Sequence, residues 1–136
     1  NEVIRIASVA TNVDPTESLY LGRAATTDAT VTTLFTYTIP ASTTVLIQAN
    51  VVARRTGGTL GTAEDGAGYV IDATIKNVAG VATLIGAVLP DVTQEDQVLW
   101  DATIDVTGAT ARVRVTGAAS NNVVWHATIR VWRVGS

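Results

Sequence analysis

Strict alternation of apolar and polar residues limits this chain more than any other feature. In Gln97–Val106, the residues Val98, Trp100, Ala102, Ile104 and Val106 share one side of a period-two pattern, while Gln97, Asp101, Thr103 and Asp105 take the other. That period belongs to an extended strand with one buried face, because a helix would spread both sets around its axis. Ala109–Thr116 repeats it, with Ala111, Val113 and Val115 set against Thr110, Arg112, Arg114 and Thr116. A two-residue loop at Thr107-Gly108 predicts a hairpin pairing Val106 with Ala109, Ile104 with Ala111, Ala102 with Val113 and Trp100 with Val115. Asp101 then lies across from Arg114 and Thr103 across from Arg112. A one-residue slip would set Val against Arg along the whole hairpin, so period-two logic rejects it.

A second hairpin uses the same device. Tyr69, Ile71, Ala73 and Ile75 form an apolar row, Ala79-Gly80 turns the chain, and Ala82, Leu84, Gly86 and Val88 return opposite that row. The other side of the return, Thr83, Ile85, Ala87 and Leu89, is partly apolar too, which predicts a central strand or a surface between subunits. Val31–Ile39 and Thr44–Arg54 read as strands separated by Pro40, which bars continued pairing. Asn122–Val134 is a long last strand, and Val3–Val9 a weaker first one. Residues 10–30 read as loop, with a short strand near Leu19–Gly22. About eight short strands between turn signals predict one all-β domain over residues 1–136, an antiparallel β-sandwich or jelly roll.

Composition narrows the function. The 136 residues hold 47% hydrophobic but only 5% aromatic side chains, so Val, Ile, Leu and Ala must fill the core. Nine Lys and Arg against twelve Asp and Glu give a net charge of -3, with no basic stripe for nucleic acid. Cysteine is absent, which rules out disulfides and thiolate metal sites. No apolar run is long enough for a membrane-spanning helix. The sequence contains no Met and begins at Asn1, as a processed or fragmentary chain would.

Residues with possible chemistry are few. Arg54–Gly68 has the glycine content of a phosphate loop but lacks its Lys-Ser/Thr and the following helix. It reads instead as a flexible end loop for partner contact, with Arg54, Arg55, Thr59, Leu60, Glu64 and Asp65 as its candidate residues. The acidic PDVTQED segment (Asp91, Glu95, Asp96) and Glu64-Asp65 lack calcium-loop spacing and read as solvated turns. His126 is the sole histidine, without a nucleophile-elbow serine to serve. Asp101 and Asp105 lie about 13 Å apart on a strand, too far for paired glycosidase carboxylates. Trp132 falls on the polar side of the last strand with His126 and Arg130, so Thr83, Ile85, Leu89 and Trp132 form a candidate interface. No catalytic residue, metal or cofactor is expected.

From Val51 to Arg133, the stretches ARRTGGTLGTAEDGAGYVIDATIKN, QEDQVLWDATIDVTGATARVRVTGAASNN and VVWHATIRV resemble a β-module of tailed-phage virion surface proteins, of tail-fibre or receptor-binding type. The resemblance implies a non-enzymatic module on the virion, commonly a homotrimer, that contacts other virion proteins or a host receptor such as a glycan. A capsid decoration or head-fibre protein is the alternative reading.

Overall fold

The computed structural model describes residues 2–7 and 16–135, and these form ten strands in two antiparallel sheets, an all-β sandwich. The strands are β1 (Glu2–Ala7), β2 (Thr16–Thr26), β3 (Thr32–Thr38), β4 (Thr43–Gly58), β5 (Gly66–Val78), β6 (Val81–Leu84), β7 (Leu89–Glu95), β8 (Asp101–Thr107), β9 (Thr110–Thr116) and β10 (Asn121–Gly135). The large sheet runs β1-β2-β10-β4-β5, and the outer edge of β5 is shared between β6 and β7. The small sheet is β3-β9-β8.

Alternation decides which side of each strand meets the other sheet. Val45, Ile47, Ala49, Val51 and Ala53 of β4 point inward with Tyr69, Ile71, Ala73 and Ile75 of β5 and Val123, Trp125, Ala127, Ile129 and Val131 of β10. Ala102, Ile104, Ala111, Val113 and Val115 close over them from the small sheet. Trp100 and Trp125 meet edge to face at 6.0 Å in this core, and the Trp125 Nε1–H donates to Thr26 Oγ1. The aromatic pair adds to area burial, and the hydrogen bond removes the cost of an unpaired buried donor.

The β8–β9 hairpin exists, but its register lies two residues from the expected one. Ala102 faces Val115, Ile104 faces Val113 and Asp105 faces Arg112, so the loop is Gly108-Ala109 and not Thr107-Gly108. Gly108 has φ +55 while Ala109 does not have positive φ, as in a turn whose first central position favours glycine. Thr107 in that place would force a β-branched residue into the left-handed region. A shift of two keeps every side chain on its face, so the core is unaffected. Arg112 then makes a two-pronged contact to Asp105 at 2.7 and 2.9 Å, and Thr116, not Arg114, stands opposite Asp101. The strand starts only at Asp101, which leaves Val98 84% exposed while Trp100 stays buried.

The β5–β6 turn is at Ala79-Gly80, both with positive φ, and pairs Val78 with Val81 and Ile75 with Leu84. The return strand is neither long nor central: β6 stops after four residues at the sheet edge. Its place along β5 is taken by β7, formed from the acidic segment expected to be turns. Residues 16–26, expected mostly as loop, are an eleven-residue strand paired with β10. Residues 8 and 9 of the expected first strand lie outside the described residues.

Candidate functional site

The outer side of the large sheet carries the exposed apolar side chains of β2, β4, β7 and β10: Leu21, Leu46, Val52, Leu89, Val92, Val124 and Val134. Cross-strand register divides it into two parts. In one, Val52 lies between His126 and Gly68, Val124 lies beside Arg54, and Val70 faces Val92. Gly68 has no side chain here, and an added Cβ would meet nothing within 4 Å. The result is a shallow depression of about 360 Å³ between Val52, Val92, Gln94 and His126.

In the other part the surface becomes a cleft of about 460 Å³. Trp132 of β10 faces Leu46 of β4, which faces Thr74 of β5, and the Ile85 N–H donates to the Thr74 carbonyl at 2.8 Å. Along the next row Gln48 faces Asp72, which faces Leu89. Trp132, Leu46, Gln48, Asp72, Thr74, Ile85 and Leu89 line the cleft with Gly86 and Ala87. Three members of the candidate interface (Ile85, Leu89 and Trp132) therefore converge, while Thr83 stands apart beside Lys76. The Arg130 guanidinium lies over the Trp132 ring at 5.8 Å from its centre, pairs with Glu17 at 3.2 Å and stands across from Gln48 on β4.

Two carboxylates here were not legible in the sequence as a pair. Asp91 of β7 and Asp72 of β5 are in hydrogen-bonding contact, and this, with partial loss of solvent and their mutual repulsion, holds the Asp91 carboxyl above its ordinary range. Asp72 has outward parity on β5, but without β7 nothing placed Asp91 beside it.

The end-loop residues are placed differently from expectation. Arg54 and Arg55 belong to β4, which runs to Gly58, so only residues 59–65 are irregular. That loop is tied down: Arg55 donates to the carbonyls of Leu60 and Gly58, the Leu60 N–H to Ser120 O, and Arg54 pairs with Glu64 at 3.1 Å. Asp65 is buried, accepting from the Thr62 N–H and from Gln97 Nε2, and these bonds hold its carboxyl below its ordinary range. Its role is to join the 59–65 loop to the β7–β8 connection, where Asp96 also accepts from the Gly66 N–H. Thr59 and Leu60 remain at the surface, Leu60 56% exposed. The two acidic segments do meet, through hydrogen bonds. Among the described residues no three His, Asp or Glu side chains gather as metal ligands. His126 lies exposed between Arg23 and Val52.

No protein-family model and no curated protein sequence matches the chain. Among the solved structures that share its fold are two phage tailspikes. The tailspike protein of Acinetobacter baumannii phage AM24 superposes with a TM-score of 0.57 at 9% identity, over 85% of this chain and 26% of that one. Tailspike protein gp49 of Acinetobacter baumannii bacteriophage Fri1, a capsular polysaccharide depolymerase, gives 0.53 at 10% identity, over 94% of this chain and 21% of that one. The chain thus spans about a quarter and a fifth of those two proteins. At such identity the likeness is one of fold.

Proposed function

We propose that the chain is a module of a tail-fibre or tailspike type protein on a tailed-phage virion, acting as an oligomer in host attachment and carrying no catalysis itself. The observation that carries this reading is the fold it shares with two phage tailspikes over 85% and 94% of its length. The large sheet supports the oligomer: Leu21, Val52, Val92 and Val124 on a soluble domain suit a surface that copies of the chain cover. The resemblance to tailed-phage virion surface modules, commonly trimeric, supports a trimer for that assembly.

The carboxylates support a binding role over hydrolysis. Asp72 and Asp91 touch, whereas glycosidase pairs need about 5–9.5 Å between them for sugar or water. Asp105 is engaged by Arg112, and Asp101 stands four residues away along the same strand. Pre-incubating host cells with the purified chain should reduce adsorption of the phage that carries it and release no reducing sugar from host polysaccharide. Undiminished adsorption would remove the attachment role, and sugar release would remove the non-catalytic one.

A further inference from the structure

We infer that the Trp132 cleft binds one neutral pyranose unit, with the indole as its apolar wall and Asp72, Gln48 and Thr74 as partners for its hydroxyls. This rests on the attachment reading for the source of the sugar, and on the cleft's own lining for the site.

A pyranose has flat C–H faces and a rim of hydroxyls, so it needs an apolar plane beside short donors and acceptors. The plane is present in Trp132, flanked by Leu46 and Ile85. The rim chemistry is present as well: carboxylate oxygens accept, a Gln amide both donates and accepts, and a Thr hydroxyl does either. Gln48 and Asp72 are direct cross-strand partners, so their Cβ atoms lie about 5 Å apart and can serve adjacent hydroxyls. The cleft's volume of about 460 Å³ falls in the roughly 300–1,000 Å³ range of small-molecule sites. Arg130, paired with Glu17, packs on the indole and restricts it before a sugar arrives.

Charge selects among sugars. No Lys, Arg or His lines the cleft, and Asp91 adds a second carboxyl in contact with Asp72. An acidic sugar would bring a third carboxylate to that pair, and the cation beside the indole, Arg130, is already paired with Glu17. A neutral hexose or N-acetylhexosamine meets no such repulsion.

The test is nuclear magnetic resonance of the purified chain titrated with methyl glucoside, methyl galactoside, N-acetylglucosamine and glucuronate at pH 7. Of the three tryptophans, Trp100 and Trp125 are buried in the core, so their indole signals are internal references. At least one neutral sugar should move the Trp132 indole signal and leave the other two still, with glucuronate weaker by about tenfold or more. Trp132→Ala should abolish binding. Should that variant unfold, Gly86→Asn serves: Gly86 lines the cleft at φ +75 with open space beyond it, and Asn tolerates that backbone region. The site is overturned if no neutral sugar moves Trp132, if glucuronate binds equally well, or if Gly86→Asn leaves binding intact. It is also overturned if the Trp132 signal follows protein concentration instead of sugar, since copies of the chain would then fill the cleft. Sugar binding without competition for phage adsorption would remove the attachment reading and keep the site. Competition that survives Gly86→Asn would do the reverse.

Discussion

The two outer faces of the sandwich obey the same period of two and present opposite chemistry. On the small sheet, β8 and β9 show solvent Thr103 across from Arg114, Asp105 across from Arg112 and Asp101 across from Thr116, and Arg114 donates to Thr33 Oγ1 on β3. None of its three strands exposes a large apolar side chain. On the large sheet, the same outward positions hold Leu21, Val52, Val92 and Val124, apart from the Trp132 cleft. One face is finished for water, with opposite charges paired across strands. The other leaves apolar area in water, the surface that the proposed oligomer would cover.

A buried-face control sets the scale for both. Trp125→Ala removes a fully buried ring that packs on Trp100 and Tyr69, and should cost about 3–5 kcal/mol in a denaturant melt. A loss near that of a surface change would mean that the two sheets are not packed as described. The seam between the sheets comes next. A Cβ at Gly22 would lie 2.5 Å from Leu34 Cδ2 and 3.1 Å from the Leu34 carbonyl, so Gly22→Ala should cost about 1–3 kcal/mol by overpacking. Stability equal to the parent would show that β2 and β3 are not in such close approach.

The two faces also differ in their response to salt and pH. Arg112→Ala should lower the melting temperature slightly at low salt, and high salt should erase much of the difference, as screening weakens the Asp105 pair. On the large sheet the sign is reversed. Asp91 has a raised folded-state pKa, so its contribution to stability is complete below the ordinary Asp range, near 4, and is lost as pH rises through the raised value. Asp91→Asn should therefore raise the melting temperature a little at pH 7 and leave it unchanged at pH 3. Equal gains at both pH values would contradict contact with Asp72.

How much of this was legible varies with burial. β8, β9 and β10 alternate plainly because one face of each is in the core, and even the misjudged β8–β9 register preserved the faces. β2 hid because its inward positions are Thr16, Ser18, Tyr20, Gly22, Ala24 and Thr26, where a single large side chain among small or polar ones gives no apolar period. Gly22 is small to admit Leu34, and Thr26 is polar to receive the Trp125 N–H. β7 hid for the opposite reason: nearly all of it is exposed at a sheet edge, so neither side is marked as apolar. Missing β7 meant missing the Asp72–Asp91 contact. The cleft was half legible, since Ile85, Leu89 and Trp132 stood out as outward apolar residues, while Leu46 and Gln48 needed the β4–β10 register to join them.

The solution mass of the parent chain beside two variants tests the contrast between the faces most directly. Val52→Arg places a charge on the large sheet's outer face, and Thr103→Arg places the same charge on the small sheet's. The parent and Thr103→Arg should both sediment as an oligomer, with Val52→Arg reduced to the folded monomer. A monomeric parent, or a Val52→Arg chain that stays assembled while Thr103→Arg falls apart, would contradict the assignment of the large sheet as the covered face.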